Sequence, residues 1–356
     1  MTQQTGSHIV IAGVGNTGSH LIPHLARMRE IGRITLIDPD IYTKENAIVQ
    51  NFDRMEDIGA AKVIVQADKL RRIRECTGLS PLDIVTFQER VEDVPRGLLA
   101  CNLIVSCLDS LAARQHVNEI AWRMNVPWTD CGVQGSLSLA RVNSYRPATQ
   151  AHCLECSWGI EEYQTLQQDY VCGAGSSAAH PTMSSSALGA FAASLLAIEI
   201  TKLLSEDPAH TLVDRQIVVD TLHHTLDVST YQWNPNCRFD HRTWQVEPWI
   251  CPPAITTLGA ALNIAGSLQV DGHRFAHKLI CPSCDSVQTS LKLNRPAARC
   301  AKCNSRMIAP GFELFDRIDS ERARGYEELT LAQLGLRVGD IVTDAYKNHR
   351  CITEAA

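Results

Sequence analysis

The sequence predicts an α/β protein with a doubly wound, Rossmann-like sheet, followed by a C-terminal zinc-ribbon module. Short apolar segments alternate with helical segments as far as Cys131, a pattern typical of a parallel sheet covered by helices. Gly13 to Gly18 read G-x-G-x-x-G between the first strand and the first helix. Two Cys-x-x-Cys pairs between Cys281 and Cys303 have the spacing of a zinc ribbon.

The expected elements follow the chain in order. Apolar runs predict strands, and apolar residues at helical spacing predict helices. The strands are His8–Ala12, Arg33–Ile37, Leu82–Phe87, Leu103–Cys107 and Pro127–Cys131, and the helices are Asn16–Arg29, Ile58–Arg74 and Leu111–Met124. Gly135–Arg146 then alternates like a half-exposed antiparallel strand, and Gln150–Pro181 is a polar surface excursion. Ser184–Leu204 predicts a helix, and Leu212–Asp220 predicts a strand.

The C-terminal part has a different composition from about Trp244 onward. We expect Trp249–Pro253 to be a linker because it contains two consecutive prolines. Leu329–Asp344 predicts a small helix, a glycine turn and a strand. The last hundred or so residues are therefore expected to form a separate module.

Composition limits the class of protein. With 356 residues, 45% of them hydrophobic, the chain can bury the cores of two domains. Its 33 basic and 39 acidic residues give a net charge of −6, which argues against nucleic-acid binding. The longest apolar stretch, Ala187 to Ile198, is too short for a bilayer, and no signal peptide is evident. We expect a cytoplasmic protein without a membrane partner, whose 14 cysteines are metal ligands and reactive thiols.

The glycine loop predicts a nucleotide site. Its glycines let the backbone approach a phosphate, and the following helix N-terminus supplies partial positive charge. Asp38 ends the second strand, where a carboxylate can bind ribose hydroxyls. The alternative is a strand–helix turn that binds nothing, and the motif alone does not separate NAD from ATP.

Two further residues favour ATP. A phosphate-activating enzyme needs a lysine near the β- and γ-phosphates, and Lys62 on the next helix is the candidate. Asp109 follows a strand at the end where α/β folds place ligands, and it is the candidate ligand of Mg²⁺. Taken singly, Lys62 could be a solvated helix residue and Asp109 a helix N-cap.

The arrangement resembles the ThiF/MoeB family of ubiquitin-activating-type adenylyltransferases over about residues 7 to 240. The matching residues are the glycine loop, Asp38-Pro39-Asp40, Asn46, Gln50, Lys62 and the run from Cys107 to Arg114. The resemblance implies that MgATP activates the C-terminal carboxylate of a ubiquitin-like protein as an acyl-adenylate. It implies nucleotide binding by Gly13, Gly15, Gly18, Asp38, Asp40, Asn46, Gln50, Lys62 and Asp109.

Two departures from the family concern cations. Val49 stands where the family has an arginine, and the arginine-bearing N-terminal helix common in the family is missing. Such arginines stabilise the charge that develops in the transition state. Arg54 or a partner subunit can supply a replacement, so we place Arg54 with Lys62 and Asp109 among the catalytic residues.

A first metal site is expected from Cys153, Cys156, Cys237 and His241, which we name the clamp cluster. Tetrahedral Zn²⁺ accepts three cysteines and one histidine. The resemblance implies a zinc clamp at these two places in the chain, with His241 where the family has a cysteine. The alternative for His241 is an exposed histidine in a charged turn.

A second metal site is expected from Cys281, Cys284, Cys300 and Cys303, which we name the ribbon cluster. Its spacing predicts a structural Zn²⁺ that links two knuckles. Cysteines in a closed four-ligand site are poor nucleophiles, so neither cluster is expected to be catalytic. The use of the module stays open between docking of a protein, added stability and dimerisation.

Cys172 is the expected nucleophile. Small neighbours leave its sulfur accessible, and a nearby helix N-terminus can lower the pKa of a thiol. The segment resembles the crossover loop of activating enzymes for ubiquitin-fold modifiers, whose cysteine carries the modifier as a thioester. The alternative is an accessory cysteine in an enzyme that forms no thioester.

The leading hypothesis is a homodimeric, zinc-containing enzyme that activates a ubiquitin-like protein ending in glycine and passes it to a conjugating-type carrier protein. The expected domains are an adenylation half (1–145), a part with the crossover loop, Cys172 and the clamp cluster (146–243), and the ribbon module (244–356). The alternatives are a sulfur-carrier adenylyltransferase of thiamin or molybdopterin synthesis, and a ThiF-fold scaffold without turnover. An NAD-dependent oxidoreductase is disfavoured, because no catalytic His–carboxylate set is evident.

Overall fold

Two compact units make up the protein. The computed structural model describes residues 6–52, 54–168, 184–205, 210–295 and 299–354. The first unit comprises the chain up to Val91 together with Cys101–Thr243. The second combines Glu92–Ala100 with the chain from Trp244 onward. The second unit is therefore assembled from two separate parts of the sequence.

An eight-stranded mixed sheet forms the centre of the first unit. Its strands are β1 (Ser7–Ala12), β2 (Ile31–Ile37), β3 (Asp83–Phe87), β4 (Leu103–Ser106), β5 (Trp128–Gln134), β6 (Leu139–Tyr145), β7 (Arg215–Asp220) and β8 (Thr225–Thr230). The order across the sheet is β3-β2-β1-β4-β5-β6-β7-β8. The first five strands pair in parallel, and β6, β7 and β8 pair antiparallel. The predicted Rossmann-like sheet is confirmed.

Helices cover both faces of this sheet. They are α1 (Asn16–Leu25), α2 (Lys62–Thr77), α3 (Leu111–Arg123), α4 (Ile160–Gln168) and α5 (Ser186–Leu204). One apolar core contains side chains of α1, α2 and α5, such as Leu21, Leu70 and Leu196. The buried residues of α3, among them Val117 and Trp122, lie outside that core. The sheet therefore separates two layers of helices, as in other doubly wound folds.

Helix α5 is longer than the apolar stretch that the sequence singled out. By length and composition alone it could cross a membrane, a test that the core helix of a soluble protein also passes. Its residues Leu188, Leu196 and Ile200 are buried in the core, and the helix packs against α1, β5 and β6. The Ser185 hydroxyl accepts a hydrogen bond from the Leu188 backbone and caps the helix. We conclude that α5 is a core helix of the first unit.

The second unit contains two small sheets. Its elements are β9 (Val246–Ile250), α6 (Leu258–Ala265), β10 (Ser267–Val270), β11 (Phe275–Ile280), β12 (Val287–Leu293), β13 (Leu314–Phe315), β14 (Arg317–Asp319), β15 (Ile341–Thr343) and β16 (His349–Thr353). One sheet has the order β14-β10-β15-β16-β9, and the other has the order β12-β11-β13. A separate apolar core around Leu258 and Phe275 fills this unit.

The segment Glu92–Ala100 is fastened within the second unit by polar contacts. The Arg96 guanidinium pairs with Asp271, and the Gly97 backbone N–H donates to the Gly339 carbonyl at 2.8 Å. Arg295 donates at 3.1 Å to the carbonyl of Asp93 and pairs with the buried Asp340. These contacts explain why a segment between β3 and β4 belongs to the second unit.

Several predicted elements are wrong. The linker expected at Trp249–Pro253 overlaps β9, which pairs in parallel with β16. The small helix expected after Leu329 is only a turn. Gly335 adopts φ +92°, outside the helical range, so the chain does not continue as a helix.

The other differences concern the start of one helix and two elements that were not predicted. Helix α2 begins at Lys62 and not at Ile58, because Gly59 adopts φ +90° and Ala61 bridges to Ile41. The polar excursion after Gln150 contains helix α4, and β8 was not predicted.

Candidate functional site

The candidate nucleotide site lies where β1 and β4 are neighbours. From β1 the chain continues to β2 on one side of the sheet, whereas β4 leads to β5 on the other side. Ligands of open α/β sheets bind at the carboxyl ends of the strands at such a switch point. The glycine loop follows β1, and Leu108 and Asp109 follow β4. The topology therefore brings two predicted parts of the site to the same edge.

The three glycines of the loop have different surroundings. A Cβ on Gly13 would lie 2.6 Å from the Cys107 carbonyl oxygen, and Gly13 has φ +89°. A Cβ on Gly18 would lie 2.2 Å from the Gly13 oxygen. Gly15 alone of the three has nothing within 4 Å of such an atom. Gly13 and Gly18 are thus required by packing, whereas Gly15, at the N-terminus of α1, leaves open space that fits a phosphate.

Asp38 is anchored beneath this loop. Its carboxylate accepts hydrogen bonds from the backbone N–H groups of Val14 (2.8 Å) and Asp40 (2.9 Å). Burial raises the pKa of the Asp38 carboxyl, although the charge of Lys62 and the two backbone donors act in the opposite direction. The side chain is 6% exposed. The predicted ribose ligand therefore also ties the glycine loop to the end of β2.

Lys62 and Asp40 form an ion pair. The Lys62 Nζ lies 2.9 Å from Asp40 Oδ2, with the lysine side chain buried and the aspartate largely exposed. Lys62 is also near enough to act electrostatically on Asp38. A solvated helix lysine is therefore ruled out. Burial of the lysine stem therefore fixes an ammonium beside two acidic residues at this edge of the sheet.

The loop that carries Asn46 and Gln50 is held by helix α2. Gln66 donates to the Tyr42 hydroxyl (2.6 Å) and to the Asn51 carbonyl (3.0 Å). Lys69 donates to the same carbonyl at 2.9 Å. Gln50 Oε1 is buried and has no hydrogen-bond partner among the described residues. Sequence reasoning missed Gln66 and Lys69, which no local motif marks.

Asp109 is exposed, and the turn before it is fixed by Arg114. The Arg114 guanidinium donates to the Leu108 carbonyl at 2.7 and 3.1 Å. The same guanidinium lies 3.2 Å from Asp130, which is fully buried and also pairs with Arg141 at 3.1 Å. On sequence alone, Arg114 was included only as the last residue of the Cys107–Arg114 run that resembles the family, and Asp130 and Arg141 were missed. The buried Asp130 thus fixes the Arg114 guanidinium, which in turn holds the turn that carries the candidate Mg²⁺ ligand.

Arg54 is not positioned as a free cation. Its Nη1 lies 3.8 Å from Glu56 and 3.9 Å from Asp68, and the side chain is 41% exposed. At Val49, the backbone carbonyl contacts His20 Nε2 at 3.3 Å. Burial lowers the pKa of His20, so this imidazole is not a cation at neutral pH. The described residues therefore do not assign a replacement for the family arginine.

The structure brings the four residues of the clamp cluster together. Cys153 Sγ lies 3.8 Å from Cys237 Sγ and 3.4 Å from His241 Nε2, and Cys156 Sγ lies 3.5 Å from the same nitrogen. In a tetrahedral site with Zn–S bonds of about 2.3 Å, two sulfurs lie about 3.8 Å apart. The four ligand atoms can hold a metal ion. His241 is thus a member of the cluster and not a solvated turn residue.

The ribbon cluster has the same kind of geometry. The sulfurs of Cys281 and Cys303 are 3.4 Å apart, and those of Cys284 and Cys300 are 3.6 Å apart. All four ligand atoms lie within 4.8 Å of one another and can hold a metal ion. Two hairpin turns present them, one after β11 and one after Cys300. Their donor set fits Zn²⁺, which prefers four thiolates in structural sites.

The expected nucleophile, Cys172, lies outside the described residues. Among the described cysteines that belong to neither cluster, burial raises the pKa of Cys101 and of Cys131 to about 12. Burial likewise raises the pKa of Cys107, Cys251 and Cys351. Thiols with a raised pKa are poor nucleophiles at neutral pH. Of this described set, Cys76 alone is exposed.

A Rossmann-like sheet with a glycine loop at its switch point defines the class of protein. The chain belongs to the ThiF family, whose model matches residues 2–239. Solved structures with a similar fold include Escherichia coli MccB with ATP, with a TM-score of 0.53 and 20% identity. That match covers 66% of this chain and 67% of MccB.

Curated relatives match a shorter part of the chain. Ubiquitin-like modifier-activating enzyme 5 of Caenorhabditis elegans is 27% identical over 180 residues, which are 47% of this chain and 42% of that protein. The tRNA threonylcarbamoyladenosine dehydratase of Escherichia coli (strain K12) is 29% identical over 130 residues, 36% of this chain and 47% of that protein. The chain thus spans less than half the length of these two relatives.

Proposed function

We propose that the protein uses MgATP to adenylate the C-terminal carboxylate of a ubiquitin-like protein. The observation that carries this proposal is the open space at Gly15, between a packed Gly13 and Gly18, beside the anchored Asp38. Membership of the ThiF family and the similarity to ubiquitin-like modifier-activating enzymes support the choice of substrate. The cytoplasm is the proposed location.

The proposed roles follow from the positions of the side chains. Asp38 binds the ribose, and Gly15, Asn46 and Lys62 face the phosphates. Asp109 binds Mg²⁺, with its turn held by Arg114. A carboxylate oxygen of the substrate attacks the α-phosphorus, the bond to the bridging oxygen breaks, and pyrophosphate leaves. Lys62 and Mg²⁺ would offset the charge on the leaving group.

Substrate-dependent exchange of pyrophosphate into ATP tests the adenylation step. Asp109→Ala should abolish exchange because the metal ligand is lost. Asp227→Ala is the matched control, since Asp227 is an exposed carboxylate on β8, the edge strand of the sheet away from β1 and β4. Wild-type exchange in Asp109→Ala would overturn the role of Asp109. No exchange in the wild type with any glycine-ended ubiquitin-like protein would overturn the enzyme assignment.

We further propose that Cys172 accepts the acyl group. Its thiolate attacks the acyl carbon, a thioester forms, and AMP leaves with the electron pair of the broken C–O bond. The surroundings of the other thiols support this choice, because the described cysteines apart from Cys76 either belong to a cluster or have a raised pKa. Transfer to a conjugating-type carrier and a homodimeric enzyme complete the proposal.

The thioester is tested on a non-reducing gel. Cys172→Ala should keep pyrophosphate exchange and lose an adduct that added thiol cleaves. Cys76→Ala removes the exposed sulfur that, among the described residues, belongs to neither cluster, and it should keep both activities. An adduct that survives in Cys172→Ala and disappears in Cys76→Ala would move the nucleophile to α2. Exchange without any adduct would favour a sulfur-carrier adenylyltransferase.

The proposed occupant of both clusters is Zn²⁺. The sulfur–sulfur and sulfur–nitrogen distances fit tetrahedral coordination, and the donor sets are those that zinc prefers. Elemental analysis of the purified chain should give two zinc ions. A single zinc ion per chain would mean that one of the two clusters is not a zinc site.

A catalytically weak scaffold is the second candidate. The observation that favours it is the position of Arg54, which is paired with two carboxylates and leaves the place of the family arginine at Val49 without a cation among the described residues. A scaffold would bind ATP and the modifier but would not exchange pyrophosphate. Equilibrium binding measured beside exchange therefore separates the two candidates.

A further inference from the structure

We name the two turns that carry the ribbon cluster, with the ends of β11 and β12 beside them, the ribbon region. One of its faces presents apolar and basic side chains side by side. Antiparallel pairing places Ile280 directly opposite Val287 on one side and Ile308 on the other. Arg299 and Arg306 are likewise directly opposite each other. Side chains of directly paired residues project to the same side of a sheet.

The arginine pair and the three apolar residues project to the same side of the strands. Along the chain from Arg306 to Ile308, the residue between them, Met307, is buried while both neighbours are exposed. Side chains of an extended segment alternate between faces, so Arg306 and Ile308 share a face. We name Ile280, Val287, Arg299, Arg306 and Ile308 the ribbon face.

The opposite side of the same strands is already filled. Leu279, Cys281, Cys300 and Met307 form a small buried cluster there. The ribbon face is therefore the outer surface, and Val287 and Ile308 are 52% and 50% exposed on it. Arg299 and Arg306 lie on the side opposite to the buried Cys281 and Cys300. Their charges are therefore not placed to neutralise those thiolates.

The charge on this face is not compensated within the described chain. Between Phe275 and Phe315 there are six basic residues, of which Arg295 is paired with Asp340, and two acidic residues, in a protein whose net charge is −6. Neither Arg299 nor Arg306 forms an ion pair or a side-chain hydrogen bond with a described residue. Like charges directly opposite in a sheet are destabilising. Such a pair is favourable when an anion lies across it.

We propose that the ribbon face docks an acidic protein segment that carries an apolar side chain. The arginine pair would bind carboxylates, and the apolar row formed by Val287, Ile280 and Ile308 would cover the apolar side chain. Charge complementarity selects an anionic partner. The apolar row favours a peptide over a nucleic acid, because single strands are bound by stacking on exposed aromatic rings and the ribbon face has none.

The test uses the full chain and a fluorescein-labelled peptide of four glutamates, one leucine and four glutamates. Fluorescence polarisation should show binding that weakens as NaCl rises from about 50 to about 300 mM, because exposed charges are screened. Arg299→Glu/Arg306→Glu should weaken binding by at least about tenfold. Ile308→Ser should weaken it by about threefold or more.

A matched control separates a local site from overall charge. Arg71→Glu/Arg324→Glu makes the same change in net charge at two exposed positions outside the ribbon face and should leave binding within about twofold. Zinc content is measured for every variant. If the glutamate pair loses metal, Arg299→Gln/Arg306→Gln replaces it, with the same expected direction.

Four outcomes would overturn the proposal. They are no binding of the peptide by the wild type, equal weakening by the control pair, equal binding of a peptide with serine in place of leucine, and tighter binding of a nine-residue thymidine oligonucleotide. The last outcome would identify a nucleic-acid surface. None of these results depends on ATP or on Cys172, so the proposal and the adenylation function fail separately.

Discussion

The clamp cluster and the ribbon cluster use similar ligands in unlike surroundings. In the clamp cluster, Cys153 is fully buried, Cys156 is 8% exposed, and Trp122 and Phe239 pack around the ligands. In the ribbon cluster, Cys284 and Cys303 are exposed. The clamp joins residues 84 positions apart, whereas the ribbon closes two adjacent hairpin turns.

The difference predicts a separate role for a bound metal ion in each cluster. The segment with Cys237 and His241 has other contacts, because Arg123 donates to Asp240 at 2.5 Å and His241 lies 4.6 Å from the Trp122 ring centre. The far ends of β11 and β12 pack Phe275 and Leu293 into the core of the second unit, whereas the described part of the ribbon region has only a small buried cluster of its own. A core this small rarely stabilises a fold without a crosslink. We infer that a metal ion bound in the clamp cluster would attach one loop to the first unit. In the ribbon region it would supply the stability that a larger apolar core would otherwise give.

The largest effect is expected from Cys300→Ser. Structural zinc contributes about 10–16 kcal/mol to small zinc-dependent folds, so loss of a ligand should unfold the ribbon region. Hydrogen exchange followed by mass spectrometry should show that the two cysteine turns and the ends of β11 and β12 beside them lose at least about 100-fold of their protection, while β1 to β5 are unchanged. Retained protection in these turns and strand ends would show that the ribbon cluster does not need its metal.

Cys237→Ser should have a smaller and more local effect. The chain should lose one zinc ion, and the segment 234–243 should exchange faster. Unfolding of the first unit in urea should cost about 2–4 kcal/mol less, a typical range for a lost buried contact network. If this variant unfolds the eight-stranded sheet, the two clusters are equivalent and the comparison is wrong.

Arg123→Ala tests the contacts that supplement the clamp. Arg123 bonds Asp240 and the Arg242 carbonyl (2.9 Å) and lies 5.1 Å over the Phe239 ring. Because Asp240 is 45% exposed, we expect a loss of only about 1–2 kcal/mol in the free energy of unfolding. Metal content should stay at two ions. Arg242→Ala, which leaves that carbonyl in place, is the control and should change little.

The smallest effect is expected from His241→Cys, which makes both clusters four-cysteine sites. Zinc accepts either donor set, so one metal ion per cluster should remain. The ring contact with Trp122 is lost and position 241 has φ +53°, so stability should fall by about 1 kcal/mol. Thermal unfolding with elemental analysis measures both quantities. Loss of the clamp metal would mean that ring packing, and not the donor set, builds the site.

Signals that are local in sequence predicted the fold and the grouping of the cysteines best. The glycine loop lies between β1 and α1 as expected, and all three Cys-x-x-Cys pairs contribute to groups whose ligand atoms lie together. Each signal spans a few residues and reflects one turn or one strand end. The antiparallel pairing of β6 was also legible, because alternation of apolar and polar residues has the period of a strand.

Contacts between distant residues were not predictable. Asp130 meets Arg114 and Arg141 only after β4, β5 and β6 are side by side, so no spacing in the sequence marks the three as a set. The last two residues of β9 were predicted to begin a linker because two consecutive prolines, Pro252 and Pro253, follow shortly after them, and β9 itself contains Pro248. As an edge strand it needs few backbone donors, and an edge strand tolerates proline.

The placement of Glu92–Ala100 in the second unit has a consequence for how the protein is made. On the ribosome this segment emerges long before Asp271 and Gly339, to which Arg96 and Gly97 bind. The first unit is thus synthesised around a stretch whose partners do not yet exist. A chain terminated near residue 243 would lack the rest of the second unit, so Leu99 and Arg96, which are buried in the full chain, would be exposed. The C-terminal module is therefore not a detachable addition, and its late arrival completes a segment translated early.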